Sequence, residues 1–154
     1  ALPTEKVKEL LEETLGGIKG LRGLHCCGNT DWSLLLGLPI DILSFDAYNY
    51  AGALAAYSAD VRSFVSKGGT IAWGIVPNED DLLARENVAS LKDRLQEAMA
   101  PFAKEGLSFV QLVEQSLITP SCGLASLSRE AAEQALAFLA DLSTKMRQQN
   151  LGNR

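Results

Sequence analysis

The sequence predicts an α/β fold built on a parallel sheet. Short β-rich runs alternate with amphipathic helical stretches along the whole chain, and Gly, Pro and Asn punctuate the joins. The single histidine and all three cysteines fall where those runs end. At 154 residues the chain is long enough for one domain, because a chain of this size buries roughly 70% of its unfolded surface.

The elements follow in order. Thr4 is a candidate N-cap and Glu5 lies in the first turn of a helix carrying Val7, Leu10, Leu11, Leu15 and Ile18, which weakens at Gly16-Gly17. Gly20 to Cys27 reads as a strand, broken by Gly28-Asn29-Thr30-Asp31, and Trp32–Leu36 as a short helix. Pro39 opens a second strand, Ile40 to Asp46. The alanine-rich stretch from Tyr50 to Val65 is helical and closes at Lys67-Gly68-Gly69. Thr70 to Val76 is the third strand. A long helix follows from Asp80 or Asn87 to Phe102, with Val88, Leu91, Leu95, Met99 and Phe102 on one stripe. Phe109–Gln115 fits a helical turn or a loop. Leu117–Pro120 is the fourth strand, and Ser128 caps a last helix carrying Ala132, Ala135, Leu136, Leu139, Leu142 and Met146, with a frayed tail from Gln148 to Arg154. Four strands are too few for a closed eight-stranded barrel, which takes roughly 250 residues. The pattern leaves a self-contained doubly wound sheet or half a barrel, with residues 1–154 as one domain.

Composition narrows the function. Hydrophobic residues at 47% and charged residues at 21% fit a globular chain rather than a disordered one. The net charge is −5 without a Lys/Arg cluster, which argues against a nucleic-acid groove. No apolar run is long enough to cross a bilayer, and no signal peptide is visible. An odd number of cysteines without a secretory signal points to reduced thiols, free or on a metal, and so to the cytoplasm. Starting at Ala1 rather than Met, the chain reads as trimmed or as a piece of a longer one.

In α/β folds, ligands bind beyond the C-terminal ends of the strands. The first strand ends in His25-Cys26-Cys27, the second in Asp46, and the fourth runs into Cys122. Because residues two apart in a strand share a face, His25 pairs with Cys27, Leu24 with Cys26, and Ser44 with Asp46. On the third strand Ile71, Trp73 and Ile75 form a bulky face and Thr70, Ala72 and Gly74 a small one. Bulky faces are expected to meet the helices. That turns His25, Cys27 and Asp46 inward and Cys26 into the helix layer. One imidazole and two thiolates match the preference of Zn²⁺, and three protein ligands with one open position form a catalytic arrangement. The same residue types also fit a hydrogen-bonded strand-end histidine and buried core cysteines.

His25-Cys26-Cys27-Gly28-Asn29-Thr30-Asp31 resembles the metal-binding segment of the superfamily that joins cobalamin-independent methionine synthase, uroporphyrinogen decarboxylase and corrinoid-dependent coenzyme M methyltransferases. Ile118-Thr119-Pro120-Ser121-Cys122-Gly123-Leu124 is similar to its second metal-binding segment. The resemblance runs from the first strand to the last helix. It implies the C-terminal half of a TIM-barrel methyltransferase domain, four parallel strands with their helices. It also implies an enzyme with Zn²⁺ on His25, Cys27 and Cys122, and Asp46 as candidate fourth ligand where methionine synthases carry a glutamate. The implied reaction is methyl transfer to a small-molecule thiol such as homocysteine, as in methionine biosynthesis, from methylcobalamin or methyltetrahydrofolate. Where methionine synthases have a proton-donating histidine after the third strand, this chain reads Val76-Pro77-Asn78-Glu79, which favours a corrinoid donor, with a corrinoid protein as candidate partner. A coenzyme M-type methyltransferase, a metal-free decarboxylase-like enzyme and a non-catalytic zinc-stabilised half-barrel are the alternatives. The missing strands are expected from an N-terminal half or a second chain.

Around this set, Asn29, Tyr48 and Asn49 are candidate substrate-binding residues on the rim. Asn29, Thr30 and Asp31 equally suit an N-cap for the helix at Trp32. Cys26 and Trp73 read as core packing. Trp32 reads as packing or as a pocket wall, and Glu79, Asp80 and Asp81 as favourable charges opening a helix.

Overall fold

The computed structural model describes residues 2–152. Four strands, β1 (Gly23–Cys26), β2 (Ile42–Phe45), β3 (Thr70–Val76) and β4 (Ser116–Pro120), form one all-parallel sheet in the order β1-β2-β3-β4. The helices are α1 (Thr4–Gly16), α2 (Trp32–Leu36), α3 (Ala47–Ala55), α4 (Ser58–Ser66), α5 (Asp80–Leu83), α6 (Val88–Lys104), α7 (Phe109–Glu114) and α8 (Arg129–Asn150). Among the described residues, no helix is long and apolar enough to cross a membrane.

The strand order bears on the two expected architectures. A doubly wound sheet reverses its order at a switch point, and here each strand is added beside the last. Connections of one hand then lay their helices on one face. Burial agrees: Leu43, Phe45, Ile71, Trp73 and Ile75 are buried on the helix side. An aromatic chain runs through that layer from Trp32 to Phe45, Trp73 and Phe102, with ring centroids 5.5, 5.5 and 5.8 Å apart. The other face carries Gly23, His25, Ile42, Ser44, Ala72 and Leu117, a more mixed and smaller set of side chains. This one-sided arrangement is compatible with half a barrel.

Several local expectations change. The helix expected from Tyr50 to Val65 is two helices broken at Ala56-Tyr57, because α3 packs against β3 and α6 while α4 also reaches α2. Both suggested starts of the next helix are used. Asp80 opens the single turn α5, and Asn87 caps α6 in a capping box with Ser90. Within the ambiguous stretch Phe109–Gln115, Phe109–Glu114 is the helix α7, capped by Ser108. Pro3, not Thr4, occupies the N-cap of α1. The tail is helical through Asn150, whose Nδ2 donates to the Met146 carbonyl, while Asn153 and Arg154 lie outside the described residues. Leu136, expected on the buried stripe of α8, is exposed, whereas Ala135, Leu142 and Met146 are buried. The small face of β3 is closed: Ala72 is only 2% exposed and Gly74 is buried.

Candidate metal centre

The closure at Gly74 comes from the neighbouring strands. A Cβ on Gly74 would sit 2.4 Å from the Phe45 carbonyl oxygen and 2.9 Å from both the Pro120 oxygen and the Ser121 Cα. Only a glycine admits backbone that close. One residue on, the β3–β4 pairing slips between Gly74 and Val76, and the Ser121 N–H then donates to the Val76 carbonyl at 2.8 Å. A bulge of this kind sharpens twist and re-aims the residues that follow. Those residues are Ser121 and Cys122.

The consequence is a convergence that a flat sheet forbids. β1 and β4 are the two edges of the sheet, three strand spacings or about 14 Å apart if flat. Yet the ligand atoms of His25, Cys27 and Cys122 all lie within 4.8 Å of one another. Strong curvature is required, with side chains from both edges turned to the same hollow. Around a tetrahedral zinc, sulfur and nitrogen donors sit roughly 3.5–3.8 Å apart, given Zn–S near 2.3 Å and Zn–N near 2.0–2.1 Å. The donor set and its spacing fit that ion after small rotamer adjustments.

His25 is oriented for the role. Its Nδ1 lies 2.8 Å from Ser44 Oγ, on the neighbouring strand at the paired position. With a proton on Nδ1 given to Ser44, Nε2 keeps its lone pair for a metal, the usual way a second partner fixes a ligand histidine. Cys27 is exposed and Cys122 half-buried. The Cys122 thiol hydrogen-bonded to Cys27, and the repulsion between two thiolates at that distance, hold the Cys27 thiol above its ordinary value. A divalent cation reverses that effect, since coordinated thiols are deprotonated. Cys26 packs against the core, as its parity requires, and its Sγ donates to the Gly28 carbonyl.

Asp46 does not join the group; among the described residues only three His, Cys, Asp or Glu side chains converge there. Strand alternation stops at Phe45, and Asp46 instead begins α3 as its N-cap. Its Oδ1 accepts from the Asn49 backbone N–H at 3.0 Å and its Oδ2 from Asn49 Nδ2 at 2.7 Å. That engagement also occupies Asn49. Tyr48 points into the helix layer and donates to Glu86 Oε1 at 2.8 Å. Asn29 is exposed and accepts from the Thr30 N–H, while Asp31 caps α2. Trp32 is fully buried against Phe45, a packing residue.

Sequence parity placed Ser44 on the inward face without showing it as the partner of His25; the strand register supplies that pairing. Asn78, which bonds to residues on both sides of Cys122, was noted only as part of the segment after the third strand, with no sign of this tie. No protein-family model matches the chain, and no curated protein matches it either.

Proposed function

We propose that this chain is the metal-bearing half of a (βα)₈ barrel that transfers a methyl group to a small thiol, with Zn²⁺ on His25, Cys27 and Cys122. The single observation behind this is the convergence of one imidazole and two thiols from opposite sheet edges into one hollow. Three protein donors leave a fourth position for a substrate, whereas structural zinc sites close with four protein ligands. The exposure of His25 and Cys27 leaves that position reachable from solvent.

When bound, Zn²⁺ supplies a Lewis-acid position that favours the thiolate form of a substrate thiol near neutral pH. The chain's own residues set how that position behaves. Cys27 and Cys122 bring two negative sulfurs, which keep the site electron-rich and its thiolate nucleophilic. Ser44 holds the His25 ring through Nδ1, which leaves Nε2 as the ring nitrogen free to take the metal. The thiol is homocysteine or a relative, and the methyl donor is a methylcorrinoid or a methylated folate. Among the described residues both sheet edges are unpaired, as expected if further βα units complete the barrel.

Metal analysis of the purified chain tests the core of the proposal, with one zinc per chain expected. Addition of homocysteine to the Co²⁺-substituted chain is expected to add a thiolate-to-metal charge-transfer band, which requires binding but no turnover. A chain that takes up no zinc, or whose cobalt spectrum ignores every thiol, refutes the reading. Methyl transfer from methylcobalamin and from methyltetrahydrofolate then separates the two donors.

A further inference from the structure

The turn that presents Cys122 is held by a residue from another strand. Asn78 lies two residues past β3, after Pro77, and brackets the cysteine. Ser121 Oγ donates to Asn78 Oδ1 at 2.8 Å, and Asn78 Nδ2 donates to the Gly123 carbonyl at 3.3 Å. Its own carbonyl accepts from Ser126 Oγ at 3.4 Å. Ser121 is 1% exposed, so its hydroxyl has no water to turn to if Asn78 is lost. Both ends of the amide are used, which fixes its orientation as well as its position.

We propose that Asn78 is a positioning residue that holds Cys122 Sγ over the His25–Cys27 pair; as a statement about metal affinity this rests on the zinc reading above. Of the three ligands, Cys122 is the one delivered by a turn rather than by a strand or its immediate end. A turn has more freedom than a strand, so its geometry needs an outside tie. Residues supporting a ligand in this way typically change metal affinity 10- to 100-fold when removed.

Zinc titration against a competing chelator, on the full chain, tests this with Asn78→Ala, Ser121→Ala, the double variant and Ser116→Ala. The last removes the Trp73 Nε1 partner at the opposite end of the sheet and reports the effect of lost stability alone. Asn78→Ala is expected to weaken zinc binding roughly 10- to 100-fold. The double variant should be no weaker than Asn78→Ala by more than about threefold, since both substitutions break one shared bond. Ser116→Ala should stay within about twofold of the parent chain. In metal-free protein, a short bifunctional alkylating reagent (a bis-alkyl halide, each thiol displacing one halide) should join Cys27 to Cys122 less completely in Asn78→Ala than in Ser116→Ala. Unchanged zinc affinity in Asn78→Ala, or an equal loss in Ser116→Ala, overturns the proposal. Should the parent chain bind no zinc, the zinc reading fails separately and the cross-linking yield decides whether Asn78 positions the cysteine.

Discussion

Two polar clusters, one between α3 and α6 and one at the ends of β1 and β4, are built on opposite terms. Around Glu86 both carboxylate oxygens are engaged: Tyr48 and Arg94 donate to Oε1, Ser90 donates to Oε2, and the Arg94 guanidinium lies 4.8 Å over the Tyr48 ring. Burial pushes the Glu86 carboxyl up, but the donors Ser90, Tyr48 and Arg94 outweigh it and hold it below the ordinary carboxylate value. Around His25, Cys27 and Cys122 the reverse holds. Two thiols share one hydrogen bond, one ring nitrogen is tied to Ser44, and the other donors face an open hollow. A network that satisfies itself fastens α3 to α6. A cluster of donors left facing one another could hold a metal ion that accepts from all of them.

The largest effect should fall on the open cluster. Cys27→Ser or Cys122→Ser should reduce bound zinc from one per chain to nearly none, measured by metal analysis after desalting. The metal-free stability of Cys27→Ser should change by less than about 0.5 kcal/mol, since Cys27 is exposed. Full zinc in either variant would remove it from the ligand set.

The closed cluster should answer in stability instead. Glu86→Ala should cost about 3 kcal/mol at neutral pH, for several hydrogen bonds to a buried carboxylate, while zinc content stays at one per chain. The folded-state carboxyl is held low, so its contribution is complete above the unfolded value of about 4.3 and fades as pH falls through the lower folded value. Urea unfolding at pH 7 and near pH 3 should therefore show the gap between Glu86→Gln and the parent chain shrinking on acidification. A gap that widens in acid would contradict the lowered carboxyl.

Ser44→Ala is expected to weaken zinc binding roughly 10-fold, at the lower end of the range for such partners, without abolishing it. An unchanged affinity would mean that His25 needs no partner for its tautomer. The smallest effect belongs to Cys26→Ser. It should keep zinc within about threefold of the parent chain, because parity turns its thiol to the core; loss of metal there would break the facing assignment for β1.

How far the sequence spoke depended on distance along the chain. At the end of β1, alternation separated Cys27 from Cys26, and the bulky and small faces of β3 gave the side of the helices. Parity held for Cys27, one residue past β1, but failed for Asp46, one residue past β2, because α3 starts at once there and takes the Asp46 carboxylate as its cap. The break at Ala56-Tyr57 was hidden because alanine favours helix on either side of it. Ser44, Asn78 and Glu86 owe their roles to groups elsewhere in the chain, 19, 45 and 38 residues away in the cases of the His25 ring, the Gly123 carbonyl and the Tyr48 hydroxyl. Local pattern carries no record of such pairings.

Because His25 and Cys27 belong to the first strand and Cys122 follows the last, an ion held between them would act as a clasp on the polypeptide as well as a reactive centre. It would close nearly the whole sheet-forming chain into a loop, the kind of link that restricts an unfolded ensemble most when the loop is long. Metal affinity and the order of the two outer strands would then be one equilibrium seen from two ends, with chelators loosening the edges and edge-strand substitutions releasing metal.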